Sequence, residues 1–89
     1  MPSEQVRGPG TTAVTVRYWA GARAAAGTEQ DVVTGSTVGD AVAAVTVLHP
    51  TLEAIAAVST LLLDGRAVTR ETVVVDGAVL EVLPPFAGG

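Results

Sequence analysis

The sequence predicts an α+β fold in which a mixed sheet of four to five strands packs on one main helix. Val-rich segments that alternate between apolar and polar residues lie toward both ends of the chain, as is typical of strands. Between them lies one longer segment with the apolar period of an amphipathic helix. The chain has 89 residues, 48% of them apolar, which is enough for one small domain with a real core.

The first predicted strand begins at Ala13. Its residues alternate between two faces, Val14, Val16 and Tyr18 on one and Thr15, Arg17 and Trp19 on the other. Residues 20–27 then form a short, Ala-rich helical turn that Gly27 closes. Residues 28–34 form a second strand, which we expect to pair antiparallel with the first because the connection is short.

The main helix begins after Thr37. Thr37 can cap it, and Asp40 suits both a capping box and the positive end of the helix dipole. The helix ends near His49, because the residue before Pro50 disfavours α geometry, and the dipole favours a histidine there. The predicted inward face consists of Val38, Ala41, Val42, Val45 and Leu48.

The second half of the chain predicts a short helix and three strands. Residues 51–58 form the helix, with Leu52, Ile55 and Ala56 inward. Asp64 and Gly65 form a tight turn between strands at residues 61–63 and 66–68. Asp76 and Gly77 form another turn, so both aspartates are interpreted as turn residues. The last strand, residues 78–83, carries Leu80 and Val82 on one face and Val79, Glu81 and Leu83 on the other.

Composition excludes several classes of function. The chain has nine acidic residues and five basic residues, all of them Arg, and five positive charges are too few to neutralise a nucleic-acid backbone. The absence of Cys and the single His exclude disulfides and the common zinc sites. No apolar run is long enough for a membrane span and the N-terminus does not resemble a signal peptide, so we expect a cytoplasmic protein. No catalytic motif is present, so we expect no catalytic side chains.

The remaining candidate for chemistry is the carboxyl end. Pro84 and Pro85 cannot continue a sheet and favour an extended path away from the body. Gly88 and Gly89 remove side chains near the carboxylate, so this end can enter a narrow channel in another protein. A Gly-rich end can also simply be a solubilising tail. We expect a flexible leader over residues 1–12, a folded domain over 13–83 and an extended tail over 84–89.

In combination, these features resemble the MoaD/ThiS family of ubiquitin-like sulfur carriers. The resemblance covers nearly the whole chain and is carried by residues 16–20, Arg23, Gly27 and residues 36–40. Its most specific part is the ending Leu-Glu-Val-Leu-Pro-Pro-Phe-Ala-Gly-Gly, residues 80–89. The extended segment between the first two strands resembles that of the MoaD branch, the small subunit of molybdopterin synthase, more than that of the thiamine-pathway branch, whose first hairpin is shorter.

The resemblance implies a ubiquitin-like β-grasp fold and a carrier cycle. An E1-like adenylating enzyme of the MoeB/ThiF type would use ATP and Mg²⁺ to activate the Gly89 carboxylate. A sulfur donor would convert the adenylate into a thiocarboxylate, with Gly88 giving clearance. The tail would then donate sulfur within a large subunit of the MoaE type during molybdopterin synthesis. The chain itself would bind no cofactor and would act as the carrier subunit of a sulfurtransferase.

The strand alternation also predicts a docking face. Trp19 and Leu83 point away from the helix and, in a β-grasp sheet, lie on neighbouring central strands beside the start of the tail. An exposed aromatic patch is typical of a protein interface, and the resemblance places partner contacts here. A loop that covers Trp19 would instead make it an ordinary core residue. The partner-binding candidates are Trp19, Arg23, Leu83, Pro84, Pro85, Phe86 and Ala87.

Three alternatives remain open. The same thiocarboxylate chemistry can serve thiamine, cysteine or secondary-metabolite biosynthesis. The chain can instead be a ubiquitin-like modifier of lysines on other proteins, although without Lys it cannot polymerise through its own lysines. The last alternative is an interaction module whose tail is inert.

Overall fold

A computed structural model describes residues 12–85. The elements in chain order are β1 (Ala13–Tyr18), α1 (Ala20–Ala26), β2 (Gln30–Thr34), α2 (Val38–Leu48), α3 (Leu52–Val58), β3 (Thr60–Leu63), β4 (Arg66–Val68) and β5 (Ala78–Leu83). The five strands form one sheet in the order β2-β1-β5-β3-β4. β1 and β5 run parallel and the other neighbours run antiparallel, which confirms the mixed sheet.

One face of the sheet is buried beneath the helices, and we call it the inner face. Val14 and Val16 of β1 and Leu80 and Val82 of β5 are at most 1% exposed. The α2 residues buried with them are Val38, Ala41, Val42 and Val45. The alternation predicted for the first and last strands is therefore confirmed, because every second side chain of a strand points to the same face.

The predicted capping box at the start of α2 is present. The Thr37 hydroxyl oxygen accepts a hydrogen bond from the Asp40 backbone N–H at 3.1 Å. The Asp40 carboxylate accepts from the backbone N–H groups of Ser36 at 2.9 Å and Thr37 at 3.1 Å. These hydrogen bonds hold the pKa of Asp40 below its ordinary value. The first turn of α2 is thus fixed by its own sequence.

The last turn of α2 differs from the prediction. Leu48, expected to be inward, is 54% exposed. A helix advances about 100° per residue, so Leu48 falls at the margin of the buried stripe, whereas His49 falls within it. The imidazole Nε2 of His49 lies 2.7 Å from Oδ2 of Asp31, and its ring meets the ring of Tyr18 edge-on. A side-chain partner on β2, and not the helix dipole alone, therefore holds His49.

Asp31 joins three elements through one oxygen. Besides His49, the hydroxyl of Tyr18 donates a hydrogen bond to Asp31 Oδ2 at 2.8 Å. Burial, the hydrogen bond to Asp31 and the negative charge of Asp31 together raise the pKa of Tyr18 well above its ordinary value. This Tyr18–Asp31–His49 cluster ties β1 to β2 and to the end of α2.

Both Asp-Gly turns also hold strand ends. Asp64 and Gly65 have φ of 49° and 86°, the left-handed geometry of a two-residue hairpin turn. The Asp64 carboxylate accepts from the Val79 backbone N–H at 3.0 Å, and the Asp76 carboxylate accepts from the Ala13 N–H at 2.8 Å. The turn prediction is confirmed, and each carboxylate also anchors the start of a central strand.

The two short helices agree with the sequence as well. α1 ends at Gly27, whose φ of 72° is left-handed and whose N–H donates to the carbonyl of Arg23 at 2.9 Å. α3 buries Leu52 and Ala56, and Ile55 packs partly buried against the same core. Among the described residues, no helix has both the length and the apolar character needed to cross a membrane.

Candidate functional site

The candidate site begins where β5 ends. β5 lies in the centre of the sheet between β1 and β3, and its last residue, Leu83, pairs with Thr60. Pro84, half-buried, and Pro85, exposed, follow directly. Because proline has no N–H to donate, the ladder of hydrogen bonds cannot continue through them. The chain therefore leaves the sheet from its middle, with a neighbouring strand on each side.

Four of the predicted site residues lie outside the described residues. These are Phe86, Ala87, Gly88 and Gly89. Their roles remain predictions. The described part of the site is the surface from which they continue.

Trp19 lies at the same end of the sheet, directly after β1. Its backbone N–H donates to the carbonyl of Val82 at 3.3 Å, which extends the pairing of β1 with β5 by one residue. Continuing the register of Tyr18 with Val82 places Trp19 beside Leu83. Trp19 is 39% exposed and Leu83 is half-buried. Trp19 is therefore a surface residue and not an ordinary member of the core.

Two charged side chains orient the Trp19 indole. The indole N–H donates to Glu81 Oε2 at 3.2 Å. The guanidinium carbon of Arg17 lies 5.3 Å from the ring centroid, which is within the range of a cation–π interaction. Arg17 and Glu81 lie opposite each other in the register of β1 with β5. We call Arg17, Trp19, Glu81 and Leu83 the outer-face cluster.

Neither Arg17 nor Glu81 is among the site residues predicted from the sequence. The signal that points to them is nevertheless present. Alternation places Arg17 on the face of Trp19 and Glu81 on the face of Leu83. Once the first and last strands are taken as neighbours, opposite charges on the same face are expected to pair beside the indole.

Arg23 is near this cluster along the backbone but its side chain has another partner. Its backbone N–H donates to the carbonyl of Trp19 at 3.3 Å. Its guanidinium lies 3.4 Å from Glu29 Oε2, and the two side chains are 60% and 74% exposed. Such an exposed ion pair is well screened by water and leaves Arg23 free to exchange partners.

The described part of the chain presents an exposed aromatic side chain beside the point where the chain leaves the sheet. Within residues 12–85, no three His, Asp or Glu side chains are grouped so that they could hold a metal ion. The close contact between His49 and Asp31 is shared with Tyr18 and ties elements of the fold together. The arrangement therefore supports recognition by another protein next to the exit of the chain.

Comparison with known proteins identifies one matching family and several similar structures. Residues 16–89 match the model of the ThiS family. SAMP1 of Haloferax volcanii superposes with a TM-score of 0.80 at 26% identity, covering 86% of this chain and 99% of that chain. A putative molybdopterin converting factor subunit 1 of Pyrococcus furiosus has a TM-score of 0.75 at 25% identity, with coverage of 83% and 98%.

A third structure contains a complex. It is the complex of subunits 1 and 2 of the molybdopterin-converting factor of Helicobacter pylori, with a TM-score of 0.67, 22% identity and coverage of 88% and 100%. A search of curated protein sequences gave no match. The structural matches confirm the predicted ubiquitin-like β-grasp fold.

Proposed function

This chain belongs to the ThiS family of ubiquitin-like sulfur carriers and modifiers, and we propose that it carries sulfur as a thiocarboxylate on Gly89. The observation that supports this most directly is the family match, which runs through Gly89. The structure adds that the chain leaves the middle of the sheet at Pro84, beside the outer-face cluster.

The proposed chemistry needs a partner to activate the carboxylate. A carboxylate is a poor electrophile, because attack on it would have to expel oxide. Transfer of AMP from ATP to the Gly89 carboxylate, with loss of pyrophosphate, gives an acyl-adenylate. A sulfur nucleophile then displaces AMP and leaves a thiocarboxylate, which is itself a good sulfur nucleophile. An E1-like enzyme would bind the ATP and Mg²⁺ used in this step, and we propose that the cycle runs in the cytoplasm.

In this proposal the residues of the chain bind and position. Trp19 and Leu83 of this chain contact the activating enzyme, and Arg23 makes a further contact with it. Pro84 and Pro85 direct the tail away from the sheet, because neither can pair with a neighbouring strand. Beyond them, Phe86 and Ala87 would contact the partner, and Gly88 would leave room around the reacting carboxylate.

We propose molybdopterin synthesis as the destination of the sulfur. The putative molybdopterin converting factor subunit 1 of Pyrococcus furiosus, at 25% identity, supports this choice. The Helicobacter pylori complex supports a large subunit of the MoaE type as the second partner, because a chain of this fold is held there by subunit 2. Carriers that serve thiamine, cysteine or secondary metabolites would use the same first steps and a different acceptor.

A second candidate function is protein modification. SAMP1 of Haloferax volcanii, whose name denotes a small archaeal modifier protein, is 26% identical to this chain. A modifier would also begin with adenylation of Gly89, but its product would be an amide with a lysine of another protein. Because this chain contains no Lys, such conjugates would not grow through its own side chains.

Intact-mass measurement tests the proposal. The full chain is incubated with the E1-like enzyme of its own organism, ATP, Mg²⁺ and a sulfide source. We expect a gain of about 16 Da, the exchange of one oxygen for sulfur. Addition of the large subunit and the pterin precursor should return the original mass. A chain lacking Gly89 should fold but gain nothing. If the mass is unchanged with an enzyme that forms the adenylate, or if the product is a protein conjugate, the carrier proposal is wrong.

A further inference from the structure

One edge of the sheet is open. The Tyr18 N–H donates to the carbonyl of Glu29, which identifies one hydrogen-bonded pair between β1 and β2. Such pairs recur at every second residue of antiparallel strands, so the N–H and C=O groups of Gln30, Val32 and Thr34 point away from β1. Among residues 12–85, no strand pairs with them.

The two edges of the sheet differ in how they are protected. β4, at the other edge, has three residues and begins with Arg66, and both short length and charge discourage pairing with another chain. β2 has five residues and contains neither proline nor a basic residue. Val32, at its centre on the outer face, is 64% exposed. The one charge of β2, on Asp31, points to the inner face, where Tyr18 and His49 contact the carboxylate. The backbone and the outer face of β2 are therefore less protected against pairing than those of β4.

A second exposed apolar side chain lies on the inner side of the same edge. The side of α2 that faces α3 carries Val42 and Thr46, which line the groove between the two helices. At about 100° per residue, Leu48 lies on the opposite side of the buried stripe. Since α2 packs on β2 and β1, that side faces the open edge. Leu48 is 54% exposed.

We propose that this edge pairs with the same edge of a second copy of the chain. Antiparallel pairing centred on Val32 sets each Val32 against its counterpart, and Gln30 against Thr34 of the second copy. All of these residues have outward-pointing backbone groups, so each pair is a hydrogen-bonded one. The two sheets then join into one continuous sheet with a two-fold axis at Val32.

The side-chain pattern of β2 fits this symmetry. In the proposed register, Asp31 lies opposite Val33 of the second copy, so no two carboxylates face each other directly. The two α2 helices lie on the same side of the joined sheet, and Leu48 of each copy faces the other across the axis. In a two-fold dimer the same surface of each copy meets its counterpart, so that surface must be complementary to itself. The β2 edge meets this condition on both faces of the sheet.

The proposed dimer leaves the site of the proposed function free. β5, with Glu81 and Leu83, lies on the far side of β1, and Trp19 follows β1 at the end of the sheet. Arg17 lies on β1 opposite Gln30, but no residue of the outer-face cluster belongs to β2 itself. The interface would consist of one pair of strands and the margin of one helix from each copy, so we expect it to bury less than the roughly 800 Å² per partner of a standard interface. We therefore expect a dimer that dissociates on dilution.

Analytical ultracentrifugation and hydrogen exchange of the full chain test this inference. We expect the mass to rise from 8.9 kDa toward twice that value with concentration, up to about 1 mM. Over the same range, exchange of the Gln30, Val32 and Thr34 amides should slow. Val32→Lys should raise the dissociation constant at least tenfold, or about 1.4 kcal/mol. Ala67→Lys, an exposed position on β4, should leave the constant unchanged.

Three results would overturn the inference. The first is a chain that remains monomeric at 1 mM while the three amides exchange freely. The second is a chain that remains monomeric while these amides are protected, which would mean that another segment of the chain lies on the edge. The third is a dimer that Val32→Lys does not weaken. Should that variant fail to fold by circular dichroism, Gln30→Lys tests the same edge from an exposed position on the same face.

Discussion

The two faces of β5 show how one strand serves two purposes. On the inner face, Leu80 and Val82 are at most 1% exposed and belong to the core. On the outer face, Glu81 and Leu83 are half-buried and belong to the cluster beside the exit of the chain. Because the side chains of a strand alternate, neighbouring positions can specialise independently. Stability should therefore depend on one face and recognition on the other.

The largest effect on stability is expected from an inner-face substitution. Leu80→Ala removes a fully buried side chain from the central strand and should lower the free energy of unfolding by about 2–5 kcal/mol. Leu83→Ala, the same change on the outer face, should cost less than about 1 kcal/mol, because its side chain is already partly exposed. Urea denaturation of the two variants measures the difference. Equal losses would show that the outer face is part of the core.

A smaller effect, on binding alone, is expected from the outer face. Trp19→Asp removes the exposed indole and its contacts with Arg17 and Glu81. It should weaken binding to the adenylating enzyme by about 2 kcal/mol, roughly thirtyfold, as expected for an aromatic anchor of an interface. Calorimetric titration measures the affinity, and urea denaturation should show a change in stability of at most about 1 kcal/mol.

Val73→Asp is the matched control for Trp19→Asp. Val73 is 71% exposed and lies in the connection before β5, outside the outer-face cluster. It receives the same charge and should bind the enzyme normally. If Trp19→Asp unfolds instead, Trp19 belongs to the core. If both variants lose the same amount of binding affinity, the loss comes from the added negative charge and not from the missing indole.

The last effect appears only at alkaline pH and concerns Tyr18, a polar residue of the inner face that is hydrogen-bonded to Asp31. Its pKa is raised in the folded protein, so the folded state keeps the phenol proton at a pH where the unfolded state loses it. The stabilisation is complete below about pH 10, the ordinary tyrosine value, and is lost above it at about 1.4 kcal/mol per pH unit.

Urea denaturation at a series of pH values between about 9 and 11.5 measures this loss. The range spans the ordinary pKa of tyrosine and ends below that of arginine. The chain has one Tyr and neither Lys nor Cys, so few other groups titrate there. Tyr18→Phe should remove most of the pH dependence, and absorbance of the tyrosinate should appear only as the protein unfolds. Ionisation of Tyr18 near pH 10 in the folded protein would contradict the raised pKa.

The sequence predicts what depends on local chemistry and periodicity. The capping box of Thr37 with Asp40, the Asp64-Gly65 turn and the inward face of β5 each follow from a few neighbouring residues. The prediction that Leu48 points inward is wrong, because Leu48 lies at the margin of the apolar stripe of α2. Whether a residue at that margin is buried depends on how far the neighbouring elements cover the helix.

Contacts between distant residues are harder to predict. His49 reaches Asp31 only because α2 packs on β2, and the two residues, 18 positions apart in the sequence, show no local pattern that predicts the contact. Glu81 reaches Trp19 across 62 residues, and only the parallel pairing of the first and last strands brings them together. The likeness of the ending to the MoaD/ThiS family predicts a reactive carboxyl end from the sequence alone, whereas the residues that orient Trp19 can be identified only from the register of the sheet.

The central claim is that the scaffold binds while the terminal carboxylate reacts. Fragmentation of the intact, sulfur-charged protein in a mass spectrometer locates the change most directly. The account predicts that the gain of about 16 Da is found in every fragment that contains Gly89 and in none that ends before it. A gain carried by an internal fragment, such as one containing only residues of the sheet, would place the chemistry on a side chain and contradict the account.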